Sequence, residues 1–164
     1  MLADALRCAP PGAIALVDGR RTISYGALPA LIEREIDWLR ESGAERHAML
    51  ADNGVPWALA DLALHVGRLL SVPLPGSFTS AQVAHALDDA GIDALLTDDE
   101  ARARELLPGW RADGTSPVSG LQRFRRQLDS ATRPSAPAGT HKITYTSGST
   151  SNPKGVCLSG PALE

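Results

Sequence analysis

Between residues 46 and 107 the chain alternates three times between a short apolar run and a helical stretch. Residues 46–51, 69–74 and 93–97 read as strands, and 56–67, 80–90 and 98–107 read as helices. Turn-forming residues separate them: Asp52-Asn53-Gly54, Pro75-Gly76 and Gly91. The helix over 56–67 is rich in Ala and Leu and apolar on most sides, as a buried helix is. The one over 98–107 opens with Asp98, Asp99 and Glu100, which suit the positive end of a helix dipole. Strands alternating with helices of this length predict βαβ units. The expected fold is α/β, a mostly parallel sheet flanked by helices.

The flanks are read in the same way. Residues 2–8 predict a short helix closed by Pro10-Pro11-Gly12. A strand over 13–17, the turn pair Asp18-Gly19 and a return at Thr22-Ile23-Ser24 predict a hairpin. Leu28, Leu31, Ile32, Ile36 and Leu39 recur at helical spacing and predict a helix over 26–42, stopped by Gly43. After Pro108 the pattern loosens. Residues 109–120 are turn-rich, 121–128 suggest a short helix with Arg123, Arg125 and Arg126 on a solvated face, and 130–140 read as a linker. The expected organisation is an N-terminal α/β subdomain over 1–129, a linker over 130–141 and a strand–loop–strand unit over 142–160.

Composition narrows the function classes. The 164 residues are 43% hydrophobic with a formal net charge of -3, enough for one globular domain with its own core. No basic stripe interleaved with aromatics is present, so nucleic acid is not an expected partner. Cys8 and Cys157 stand alone, and His47, His65, His85 and His141 lack ligand spacing, so no disulfide framework or metal site is indicated. Acidic Asp4 and the lack of a long apolar core argue against a signal peptide, and no apolar run is long enough for a membrane span. The expectation is a soluble, cytoplasmic protein.

One stretch carries chemistry. Ile143 to Thr146 alternates apolar and hydroxyl residues like a half-buried strand. Ser147 to Pro153 is small, polar or turn-forming, and Val156 to Ser159 alternates again. The loop suits an anion: Gly148 frees the backbone to turn N–H groups inward, Ser147, Ser149, Thr150 and Ser151 add hydroxyls, and Lys154 adds a flexible positive charge. The same composition also fits a solvated linker. Flanking strands and the structured exit Pro153-Lys154-Gly155 count against that alternative. The helix-opening phosphate loop of nucleotide hydrolases is excluded, because Lys154 is followed by glycine instead of Ser or Thr.

The stretch resembles the phosphate loop of the adenylate-forming ligases, which include acyl-CoA synthetases, adenylation domains of nonribosomal peptide synthetases and luciferases. Their pattern, Tyr-Thr-Ser-Gly-Ser/Thr-Thr-Gly-x-Pro-Lys-Gly-Val, is matched by Tyr145 to Thr150 and Pro153 to Val156. Ser151 stands where the family carries glycine, and serine restricts the backbone there. Asp18-Gly19, Thr22 to Leu28 and Val72-Pro73-Leu74 have looser counterparts near the family's N-terminus, so the likeness covers most of the chain. Pro75-Gly76 replaces a frequent Asp-Pro, and the Pro73-Leu74-Pro75 variation leans towards an acyl-CoA-synthetase-like member over a peptide synthetase module.

The resemblance implies an ATP-dependent, AMP-forming carboxylate ligase. A carboxylate attacks the α-phosphate of ATP, which arrives with Mg2+, and the acyl-adenylate passes to the thiol of coenzyme A or a carrier protein. It implies ATP phosphate contacts at Thr146, Ser147, Gly148, Ser149, Thr150, Ser151, Lys154 and Gly155. It assigns no catalytic residue and no metal ligand to this chain, because those positions lie downstream in the family. The expectation is therefore an N-terminal portion, inactive alone, with Leu163-Glu164 read as a cloning scar. A complete, non-catalytic nucleotide-binding or interaction protein of the same fold is the alternative.

Overall fold

The computed structural model describes residues 8–128, 133–146 and 152–163. A two-stranded hairpin, β1 (Ile14–Val17) and β2 (Thr22–Ser24), precedes a long helix α1 (Leu28–Glu41). Then come β3 (Arg46–Leu50), α2 (Val55–Val66), β4 (Leu70–Pro73), α3 (Ser80–Asp89), β5 (Ala94–Thr97) and α4 (Glu100–Leu106). The chain continues through β6 (Arg111–Thr115), β7 (Gln122–Arg125), β8 (Thr140–Thr146), β9 (Lys154–Ser159) and a last turn α5 (Gly160–Leu163). Expected and observed bounds agree to within about two residues from β1 to α4. The helix expected over 2–8 lies outside the described residues up to Arg7.

Seven strands form one sheet in the order β6-β7-β5-β3-β4-β8-β9. The four central strands, β5, β3, β4 and β8, run parallel, and the outer pairings are antiparallel. The chain leaves β3 towards β4 and then crosses back to β5 on the other side. Right-handed crossovers in opposite directions put their helices on opposite faces, so α2 covers one face and α3 the other. The core is accordingly double. Met49 and Leu96 pack with Ile32, Leu39, Leu59 and Leu64 of α1 and α2. Leu50, Val72, Leu95 and Ile143 pack with Val83, Leu87 and Ala103 of α3 and α4.

Local chemistry explains the ends. Thr79 and Gln82 form a reciprocal capping box at the start of α3. Gly54, before α2, has no side chain to cap with, and Asp18 of the distant hairpin turn does so instead. Its Oδ2 accepts from Val55 N at 2.9 Å, while Oδ1 accepts from Arg20 N at 2.8 Å and Arg21 N at 2.7 Å. Those three backbone donors hold the Asp18 carboxyl below its ordinary value. Gly91 takes φ +60 beyond α3, and a Cβ there would lie 2.9 Å from Arg133 Cγ and Pro134 Cδ.

The segment after Pro108 corrects the sequence reading. Residues 121–128 contain the strand β7 in place of a helix, and turn-rich 109–120 contains β6. β7 lies antiparallel on the open edge of β5, pairing Leu95 with Phe124 and Leu96 with Arg123, so sheet pairing outweighs local preference. Nor do the three arginines form a solvated helical face. Arg123 is buried, lies 4.1 Å over the Trp38 ring and donates to Trp38 O at 2.7 Å and Asp113 Oδ2 at 2.9 Å. Arg125 donates to Ser42 O, and Arg126 to Leu87 O at 2.9 Å and Ile92 O at 2.7 Å. Trp38 and Leu87 belong to the last turns of α1 and α3, where carbonyls lack helical partners and a cation is favoured.

Two buried groups join distant parts of the chain. Glu35 of α1 accepts from Ser119 Oγ at 2.8 Å, Ser119 N at 3.2 Å and Ser116 Oγ, docking the β6–β7 turn. Glu35→Ala leaves those donors unsatisfied and is expected to cost about 3 kcal/mol in urea unfolding, with Glu35→Gln costing less. His47 of β3 is fully buried and neither ring nitrogen has a partner among the described residues. Burial pushes its pKa down from 6.5 to about 4, so His47 stays neutral when folded. The unfolded chain binds the proton more readily; this share of stability is complete above the unfolded value and shrinks as pH falls towards the folded one. Between pH 7 and pH 5 the loss is expected to be about 2 kcal/mol in urea unfolding, and His47→Leu should abolish it.

Candidate functional site

The alternation read in Ile143 to Thr146 places β8 between helices on both faces. Lys142, pointing one way, bonds Asp61 of α2, Nζ to Oδ1 at 2.7 Å. Ile143 and Tyr145 point the other way, into the core beside α3. The Tyr145 hydroxyl donates to Asp89 Oδ2 at 2.7 Å and lies 3.3 Å from Ala86 O. Burial, then the Asp89 hydrogen bond and charge, raise the phenol above its ordinary value, so it remains a donor.

β9 returns antiparallel, pairing Thr146 with Lys154, Tyr145 with Gly155 and Ile143 with Cys157. Three of the sequence-derived site residues are thereby brought together: Thr146 and Lys154, both exposed and directly opposite, and Gly155. Ser147, Gly148, Ser149, Thr150 and Ser151 lie outside the described residues. Gly155 has a packing reason of its own, because a Cβ there would lie 3.0 Å from Ile143 Cγ2 and 3.1 Å from Tyr145 Cζ. Pro153 is buried, and its carbonyl lies 3.1 Å from His85 Nε2 of α3. A carbonyl only accepts, so Nε2 carries the hydrogen.

His85 and Asp89 are the residues that sequence reasoning missed. They lie one helical turn apart, and nothing near the loop marks them; only the packing of α3 on β8 brings them there. The crevice beside the hairpin was equally hidden. β4 and β8 share one register pair, Ser71 with Lys142, and two residues on Pro73 has no N–H to continue a ladder. Beside that break in the ladder, a cavity of about 390 Å³ is lined by Pro73, Leu74, Thr144 and Tyr145 and flanked by Asn53 and Trp57. It lies at the carboxyl ends of the parallel strands, the side on which open α/β sheets bind ligands. Among the described residues no cluster of three or more His, Cys, Asp or Glu could hold a metal ion, and no helix is long and apolar enough to cross a membrane.

Comparison with known proteins gives this geometry a context. Malpinin synthetase of Mortierella alpina is 30% identical over 157 residues, covering 90% of this chain and 2% of its own length. A hybrid PKS-NRPS synthetase of Aspergillus niger is 33% identical over 157 residues, covering 90% and 4%. The o-succinylbenzoate CoA synthetase of Bacillus subtilis, solved with its acyl-adenylate intermediate, superposes with a TM-score of 0.69 at 23% identity, over 96% of this chain and 41% of its own. That superposition shows the fold, that of the N-terminal part of an adenylate-forming ligase. The chain thus spans a few per cent of these curated relatives and under half of the solved enzyme. Residues 3–163 match the family profile described as AMP-binding enzyme, and the chain belongs to that family.

Proposed function

We propose that this chain is the N-terminal, phosphate-holding portion of an ATP-dependent, AMP-forming carboxylate ligase. The observation that carries the reading is the β8–β9 hairpin, with Thr146 and Lys154 side by side at the carboxyl ends of the parallel strands. The family match over residues 3–163 supports it. The role assigned to Thr146, Ser147, Gly148, Ser149, Thr150, Ser151, Lys154 and Gly155 is to hold the β- and γ-phosphates of ATP. Charge builds there as pyrophosphate leaves, and fixed donors stabilise developing charge without reorganising. Magnesium would arrive with the nucleotide, because the described residues supply no cluster to hold it. The acyl group would go to the thiol of coenzyme A or of a carrier protein. In this proposal the unit over 142–160 presents the phosphate site, and the subdomain over 1–129 is its scaffold.

The test is carboxylate-dependent exchange of pyrophosphate into ATP, measured for the full-length source protein and for these 164 residues alone. The full-length protein is expected to catalyse exchange with at least one member of a carboxylic acid panel, and the 164 residues to catalyse none. Exchange by the short chain would overturn the assignment of chemistry to other parts of the enzyme. ATP binding without exchange by the full-length protein would instead favour a non-catalytic nucleotide-binding protein. In the active enzyme Lys154→Ala is expected to lower kcat/KM for ATP about 100-fold, the scale of one lost donor to developing charge.

A further inference from the structure

Helix α3 holds the hairpin at two points, one on each strand. Asp89 takes the hydroxyl of Tyr145, the residue before Thr146, and His85 takes the carbonyl of Pro153, the residue before Lys154. His85 and Asp89 stand at i and i+4, so both bonds come from one face of one helix. Side chains alternate along a strand, so fixing Tyr145 towards α3 sends Thr146 to the opposite face. Thr144 shares that face and lines the crevice. Lys154, directly across from Thr146, projects to the same side. The spacing and direction of the Thr146–Lys154 pair are thus set by two hydrogen bonds on the other side of the sheet.

We propose that His85 and Asp89 are positioning residues for Thr146 and Lys154, tuning how tightly that pair holds the phosphates of a nucleoside triphosphate. This rests on the phosphate-holding role proposed above. Neither residue touches the nucleotide; each acts through the backbone next to a residue that does. The chemistry of the two anchors differs, which makes them separable. Asp89 serves as an acceptor, a function that Asp89→Asn retains. His85 serves as a donor, a function that His85→Gln retains.

The experiment measures Mg-ATP affinity by calorimetry on the full-length protein, together with separate KM values for ATP and for the carboxylate. Tyr145→Phe, Asp89→Ala and His85→Ala are each expected to weaken ATP binding and raise its KM about tenfold, the scale of one hydrogen bond's worth of positioning. The carboxylate KM should stay unchanged, and Asp89→Asn and His85→Gln should recover most of the ATP affinity. A merely structural role would move both KM values together and lower the urea midpoint in step. Tyr145→Phe removes one oxygen atom only, so it keeps the test open should an alanine variant fail to fold. Variants that bind ATP as the wild type does would overturn the positioning role while leaving the phosphate site standing. A wild-type protein that binds no ATP would overturn both.

Discussion

A parallel strand buried on both faces has to be covered twice, and β3 imposes that requirement on this molecule. Its neighbours β4 and β5 lie on opposite sides, and right-handed crossovers then send α2 and α3 to opposite faces. β8 joins beside β4 and finds a helix on each side of it. Lys142 reaches Asp61 of α2, and Tyr145 reaches Asp89 of α3. The strand that carries the candidate site is therefore gripped through alternate residues by helices whose placement was decided earlier in the chain. The hairpin stands where it does because of β3.

Beside the crevice a second constraint acts, the chemistry of proline. β4 ends at Pro73, which cannot donate to a neighbour, and the paired register of β4 with β8 is confined to Ser71 and Lys142. An ordinary residue at 73 could continue the ladder. Leu74 N still bonds back to Met49 O at 2.8 Å, so the hydrogen bonding of β4 to β3 runs on past Pro73.

Much of this was legible in the sequence. Three strand–helix alternations fixed the class, because apolar periodicity is a local property that survives without knowledge of partners. The strands read on either side of residues 147–153 stand as β8 and β9. What was not legible depended on contacts far apart in the chain. β7 looked helical because Gln122 to Arg125 has no strong local preference; the unpaired edge of β5 decided the matter. Arg123, Arg125 and Arg126 looked like a solvated face because composition cannot foresee that Trp38, Ser42 and Leu87 would offer them carbonyls. His85 and Asp89 were ordinary helix residues until α3 was packed against β8.

In the proposed function the β8–β9 hairpin holds the terminal phosphates of ATP, and the lysine content of the chain allows a direct check. There are two lysines, Lys142 and Lys154. Lys142 is paired with Asp61, whereas Lys154 is exposed at the start of β9. The measurement is covalent labelling of the full-length protein by an acyl phosphate of ATP, which acylates a lysine amine close to the γ-phosphate, read out by mass spectrometry of the peptides from this chain. Acylation is expected at Lys154, suppressed by competing ATP, with Lys142 unlabelled. Labelling of Lys142 in preference, or labelling of Lys154 that ATP fails to suppress, would contradict it.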